Sequence, residues 1–336
     1  MSVQSWLNDI WYKRAAPPWW LLPLSALYGA ASGVRREAYA KHLRPATRLP
    51  CAVVVVGNVS VGGTGKTPLV CWLVARLAEL GLKPGVVTRG YGGSSRSGRL
   101  VVISDDPDLV GDEAILLARR TQVPIAIGRD RPAASRLLIG AGCNVVVSDD
   151  GLQHYALARD CEIAVIDADR RLGNGRLLPA GPLRESAARL RSVDAIVVNG
   201  AVSNGGEPLP ESALRMRLEA SSAVPLSGGA AKALAEFAGQ SVHAVAAIGN
   251  PQRFFNMLRS NGIEVLAHPL PDHAQLRSAD ICFGDDRPVL MTEKDAVKCG
   301  KIAGARHWYV PVSAVFEQSD SQALLGIVSK AIQERA

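Results

Sequence analysis

The stretch GNVSVGGTGKTP, residues 57–68, follows directly on CAVVVVG (51–57), the most hydrophobic short run in the chain, and leads directly into a helical pattern. A buried strand, a glycine-rich turn and a helix start in that order constrain the fold more than any other feature. Ser60, Val61, Gly62, Gly63, Thr64, Gly65, Lys66 and Thr67 have the spacing of a phosphate-binding loop, with Ser60 where the first glycine usually stands. The three glycines let backbone amides turn inward around phosphate oxygens, and the next helix adds its positive N-terminal end. In such a loop the lysine reaches the β- and γ-phosphates of ATP and the threonine holds Mg²⁺. A plain turn between strand and helix has no need of the Gly-Lys-Thr ending. The loop specifies a nucleotide but not a reaction. Membrane-associated switch ATPases carry a lysine just before the paired glycines, and Val61 occupies that position here.

From Cys51 onward, short β-branched runs alternate with helical segments, the pattern of a parallel sheet covered on both faces. Strands are expected at 51–57, 85–88, 100–103, 124–127, 144–149, 162–167 and 194–199, with helices after Lys66, Gly111 and Arg131. The Gly/Pro/Ser-rich stretch AVSNGGEPLPES (201–212) reads as a linker. A second αβ series follows, with strands at 242–250, 262–268, 288–293 and 308–312. The expected fold class is therefore α/β: a P-loop NTPase-type, mostly parallel sheet with helices on both faces, plus a smaller second α/β domain and an N-terminal apolar helix. The expected division is 1–50 for the N-terminal segment, 51–220 for the nucleotide-binding core and 221–336 for the smaller domain.

The 336 residues suffice for two domains, and 48% hydrophobic with 21% charged residues argues against long disorder. A formal charge of +7 suits an anionic partner. No RNP, zinc-finger or helix-turn-helix pattern points to nucleic acid, and no obligate protein partner is evident. The six cysteines are scattered without a metal-ligand spacing and read as buried small hydrophobes in a reducing compartment.

Between Arg14 and Arg35 runs an uncharged stretch, AAPPWWLLPLSALYGAASGV. Its length approaches a bilayer span, but Pro17, Pro18 and Pro23 are expected to leave a continuous helix nearer ten residues. Four of six tryptophans fall in the first twenty residues, and Lys13, Arg14, Arg35, Arg36, Lys41, Arg44 and Arg48 surround them. Tryptophan favours the headgroup region, and the cations suit an anionic cytoplasmic leaflet. A membrane-docking face is expected; a core helix and a cleaved signal peptide are the alternatives.

VVVSDDGLQH ends a hydrophobic strand with Asp149 and Asp150, where this fold needs a carboxylate near Mg²⁺. Either acid fits. Asp112 and Glu113 begin an amphipathic helix, which suits the helix dipole as well as it suits catalysis. His273 beside Asp272 is either a capping feature or a functional pair, and the charge cluster TEKDAVK (292–298) falls at a strand end.

As a set, GNVSVGGTGKTP, TRGYGG (88–93), VGDE (110–113), SDDGLQH (148–154), NGRLLPAGPLRE (174–185), IGNPQRFF (248–255), PDH (271–273) and TEKDAVK resemble the tetraacyldisaccharide 4′-kinase family. They run in order across nearly the whole chain. The resemblance implies ATP-dependent phosphorylation of a lipid A precursor, a tetraacyldisaccharide 1-phosphate, at the cytoplasmic face of the bacterial inner membrane. It implies Asp112 and His273 as the catalytic pair together with Lys66. Asp149, Asp150, Glu185 and Thr67 become Mg²⁺-associated residues, and Arg184 joins Ser60–Thr67 at the nucleotide. The rival classes are a membrane-associated ATPase switch and a soluble kinase of a small metabolite.

Overall fold

The computed structural model describes residues 3–13, 16–95, 97–200, 210, 212–272, 274–299 and 302–335. Two helices open the chain, α1 (Val3–Tyr12) and α2 (Leu21–Ala40). The larger unit follows with β1 (Ala52–Gly57), α3 (Lys66–Glu79), β2 (Pro84–Thr88), β3 (Arg99–Leu100), α4 (Pro107–Val110) and α5 (Asp112–Thr121). It continues with β4 (Ile125–Ile127), α6 (Arg131–Gly140), β5 (Val145–Asp149), β6 (Cys161–Asp167), β7 (Ala195–Asn199) and β8 (Leu214–Glu219). The smaller unit contains β9 (Ser222–Pro225), β10 (Lys232–Ala233), β11 (Ser241–Ala246), α7 (Pro251–Ser260), β12 (Glu264–Pro269), α8 (Ser278–Ile281), β13 (Val289–Thr292), α9 (Glu293–Cys299) and β14 (His307–Val310). The chain ends with β15 (Ser313–Phe316) and α10 (Gln318–Gln333).

The larger sheet has the order β15-β8-β7-β6-β1-β5-β2-β4-β3 and is parallel except at its two edges. β1 lies between β5 and β6, with Val56 opposite Asp149. Both faces of β1 are covered: Val54 and Val56 pack with Leu69, Leu73 and Leu77 of α3, while Val53 and Val55 pack with Leu138, Leu152 and Leu183. This double burial is why the strand reads as an unbroken apolar run. Truncating fully buried Leu73 to alanine would cost about 2–5 kcal/mol. The smaller sheet has the order β10-β9-β14-β13-β11-β12, parallel through β14, β13, β11 and β12.

Three expectations change. The strand expected over 100–103 shrinks to an edge strand at Arg99–Leu100. The Asp105 carboxylate accepts from Arg99 and from the Val102 amide, both at 2.8 Å, and pulls the chain into a turn. The segment assigned to the smaller domain as 221–336 does not stay together. β15 pairs antiparallel with β8, and Leu324 and Val328 of α10 join the core of β1 and α3, so the C-terminus returns to the larger unit.

Pro23 does not shorten the N-terminal helix. It sits in the first turn of α2, where its missing N–H breaks no helical bond, and the helix runs 20 residues. Arg35, Arg36 and Glu37 fall within it, and among the described residues no helix is long and apolar enough to cross a membrane. One face is docked. Leu21 is buried with Ile10, Trp11 and Ala180, and the Ser25 hydroxyl donates to the Leu177 carbonyl at 2.8 Å. The other face leaves Leu27 70% and Val34 70% exposed, and Trp19, just before the helix, is 80% exposed. The linker expected at 201–212 falls almost wholly outside the described residues.

Candidate active site

The phosphate loop is shaped by residues far from it in sequence. Gly62 and Gly65 hold φ values of 103° and 92°, which a side chain would strain. A Cβ on Gly65 would also lie 2.4 Å from Asn199 Nδ2, the group that donates to the Thr64 carbonyl at 3.0 Å. On the other side the Val61 amide donates to the Pro182 carbonyl at 2.9 Å, and the Arg184 amide to Val59 at 2.7 Å. Segment 177–185 thus lies along the loop. α1 and α2 brace that segment in turn: Trp11 Nε1 donates to the Pro179 carbonyl at 3.0 Å and the Tyr28 hydroxyl to the Arg184 carbonyl at 3.1 Å.

β5 delivers its carboxylates beside this loop, and their surroundings separate them. Both Asp150 oxygens accept from Arg184 at 3.0 Å, and Lys66 Nζ lies 3.4 Å away. Burial alone would raise the Asp150 carboxyl, but Lys66, Arg184 and Arg131 outweigh it and hold it well below the usual carboxylate range. Asp150 takes a φ of 50°, a left-handed conformation that short polar residues tolerate. Asp149 is fully buried, and burial, with Glu113 and Asp150 adding negative potential, pushes it well above that range against Lys66 and Arg131. Its Oδ1 has no hydrogen-bond partner among the described residues. Glu185, expected to stand with these two, is already engaged. Gln153 donates to one oxygen at 2.9 Å, the Tyr155 hydroxyl donates to the other, and Arg189 lies 3.9 Å away.

A second wall is made jointly by the two units. Asp112 is buried at the start of α5; its Oδ1 accepts from the Glu113 amide at 2.9 Å and its Oδ2 lies 3.2 Å from Lys298 of α9. Glu113 pairs with Lys294 at 2.9 Å, and Lys294 stands 3.8 Å from Asp272. Val297 of α9 is buried among Val110, Ala114, Ile115 and Ile127, which fixes α9 on α5. The segments containing VGDE, PDH and TEKDAVK are therefore brought together, although His273 itself lies outside the described residues.

The units also meet at the phosphate loop. Arg170 donates to the Gly249 carbonyl at 2.6 Å, Arg253 pairs with Asp167 at 2.9 Å, and a Cβ on Gly249 would lie 2.9 Å from the Gly63 amide nitrogen. Between them lies a cleft of about 750 Å³ lined by Gly62–Thr67, Asp149, Asp150, Arg184, Glu113, Asp272 and Lys294, with Trp11, Tyr12 and Tyr28 at its N-terminal side. Sequence reading gave no role to Arg170, Arg253, Asn199 or the two lysines of α9. Arg253 lay unassigned within IGNPQRFF, and the lysines within the TEKDAVK charge cluster, four residues apart on one helical face.

A parallel sheet that sends a Gly-Lys-Thr loop and strand-end carboxylates into a cleft shared with a second unit defines a P-loop phosphotransferase. The chain belongs to the LpxK family, tetraacyldisaccharide-1-P 4′-kinase, whose profile matches residues 17–332. Similar proteins named tetraacyldisaccharide 4′-kinase come from Alkalilimnicola ehrlichii, 52% identical with 92% of each chain covered, and Nitrosococcus oceani, 46% identical with 97% of this chain and 95% of that one covered. A crystal structure of "apo" form LpxK from Aquifex aeolicus in complex with ATP matches with a TM-score of 0.77 at 26% identity, over 93% of this chain and 98% of that one. The family catalyses ATP-dependent 4′-phosphorylation in lipid A biosynthesis, and that is the activity of this chain.

Proposed function

We propose that Asp112 accepts the proton of the lipid's 4′-hydroxyl as that oxygen attacks the γ-phosphorus of ATP, with His273 as its partner. The β–γ bridging oxygen leaves with ADP. The observation that supports this most directly is one cleft joining the phosphate loop to the start of α5, where Asp112 sits beside cleft-lining Glu113. Phosphoryl transfer asks the protein mainly for positioning and charge neutralisation. Lys66, steered by Asp150, and the loop amides provide these along the phosphates, and Arg184 holds Asp150 in place.

Thr67 and Asp149 are the residues that would hold Mg²⁺. The buried, unpartnered Oδ1 of Asp149 fits a cation better than the oxygens of Asp150 or Glu185, which other side chains already occupy. When bound, the ion neutralises charge on the β- and γ-phosphate oxygens. Closure of the smaller unit over ATP would exclude water and limit wasteful hydrolysis.

The lipid is proposed to arrive from the cytoplasmic face of the inner membrane past α1 and α2. The exposed Trp19, Leu27 and Val34, with Arg35, Arg36 and Lys41, form an amphipathic face next to the cleft's aromatic side. Two measurements test the reading. Transfer of labelled γ-phosphate to a tetraacyldisaccharide 1-phosphate should vanish with Lys66→Ala and fall at least about 100-fold with His273→Ala; a loss under about threefold would remove His273 from the chemistry. Co-sedimentation with vesicles containing anionic lipid should weaken in Trp19→Ser/Leu27→Ser; unchanged binding would refute the docking face.

A further inference from the structure

One cation joins three parts of the wall opposite the phosphate loop. Lys298 Nζ lies 3.2 Å from Asp112 Oδ2 on α5, 3.1 Å from the carbonyl of Ala274, the residue after His273, and 3.7 Å from Asp295 Oδ1 on α9 itself. The contact is secluded: the side chains of Lys298 and Asp112 are only 13% and 6% exposed. Asp295 is in turn held by the Thr292 hydroxyl at 2.6 Å and the Ala247 amide at 2.9 Å. The lysine is thereby anchored to the smaller sheet, and Val297 beside it fixes α9 against α5.

Lys294, one turn earlier, also lies in the field of Asp112, but its ion pairs are to Glu113 and Asp272. Asp295 carries the same sign as Asp112, so Lys298 is the cation in direct contact with the Asp112 carboxylate among the described residues. A buried carboxylate that loses its adjacent cation is driven toward its neutral form and is then no base.

We propose that Lys298 is a positioning residue for the phosphoryl transfer: held by the Ala274 carbonyl and Asp295, it keeps Asp112 ionised and oriented. This rests on the reading of Asp112 as the proton acceptor. Lys298 is the point at which the smaller unit makes the acid of the larger one usable.

The test measures phosphate transfer by the full-length enzyme across pH for Lys298→Met, Lys298→Gln, Lys298→Arg, Asp112→Asn and the Lys298→Met/Asp112→Asn double variant. Thermal melts and ATP binding serve as folding controls. Lys298→Met should lower kcat about 10- to 100-fold, part of what a general base supplies, with KM for ATP within about threefold. The acid limb of its kcat/KM profile should move to higher pH, because Asp112 holds its proton longer. Lys298→Arg should recover most of the rate, and adding Lys298→Met to Asp112→Asn should cost nothing further. Should Lys298→Met fail to fold, Lys298→Gln carries the same expectations with a neutral amide left to donate to Ala274. Equal losses in both backgrounds, an unmoved pH profile, or no recovery with arginine would overturn the proposal. If Asp112→Asn itself retains kcat within about threefold, the acceptor reading fails instead.

Discussion

On the phosphate-loop wall, one unit supplies the charges: Lys66, Asp149, Asp150 and Arg184 all come from the larger sheet and its loops, and Lys66 and Arg184 both pair with Asp150. On the α5–α9 wall, the acids of the larger unit, Asp112 and Glu113, are matched by lysines of the smaller one. The charges around the phosphate loop therefore stay together if the two units move, although the cleft itself is lined by both. A proton acceptor whose cation comes from the other unit is complete only when they are docked. On the proposed reading of Asp112, the comparison separates charge neutralisation at ATP, which the larger unit supplies, from proton removal, which depends on docking.

The largest effect should come from the first wall. Lys66→Ala should lower phosphate transfer by about 10³-fold or more, since the lysine offsets charge that develops in the transition state. It should also weaken ATP binding, while leaving the α5–α9 contacts and the melting temperature nearly unchanged. Loss of the folded state would show that Lys66 also holds the fold and would break the separation.

Asp112→Asn should lower kcat by about 10²- to 10⁴-fold, as loss of a general base does, while KM for ATP stays within about threefold. A KM that rose with the fall in kcat would place Asp112 on the nucleotide side of the comparison.

These two residues also mark how far the chain could be read without its structure. The phosphate loop was legible because its chemistry is contiguous: twelve residues state strand end, loop and helix start. The β5 carboxylates were legible because a strand direction places its end. What closes around them was not. Arg184 meets Asp150 from 34 positions away, and Lys298 reaches Asp112 across 186 (298 − 112), so no local period records either pair. Grouping Asp149, Asp150 and Glu185 by resemblance hid the fact that two of the three have their oxygens taken. The proline rule failed at Pro23 because proline is harmful within a helix and harmless in its first turn. The return of β15 and α10 was illegible for a similar reason, since an amphipathic helix does not announce which sheet it covers.

A smaller effect should come from the seam between the walls. Gly249→Val puts a Cβ 2.9 Å from the Gly63 amide nitrogen, closer than carbon normally approaches, and neither backbone yields easily. Overpacking of this kind costs about 1–3 kcal/mol. Displaced phosphate-loop amides should therefore raise KM for ATP about 5- to 100-fold. Gly249→Ala should do less, and an unchanged KM in both would show that the units rest further apart in solution.

The smallest effect comes from the half-buried ring of His154. Burial pushes the His154 imidazole down to about 4, and Arg131, Arg159 and Arg35 add to the shift. Because its folded value lies below its ordinary value near 6.5, the unfolded chain binds the extra proton between those limits, so stability falls as pH drops from about 6.5 toward 4. Allowing for the partial exposure of the ring, that loss should be about 1 kcal/mol at pH 5. His154→Gln removes the titration, so the denaturant midpoints of variant and parent should diverge in the variant's favour between pH 8 and pH 5. The second wall has no such histidine among its described residues, and Asp112→Asn should leave this acid slope in place. Variant and parent midpoints that run parallel from pH 8 to 5 would mean that the ring charges freely in the folded protein.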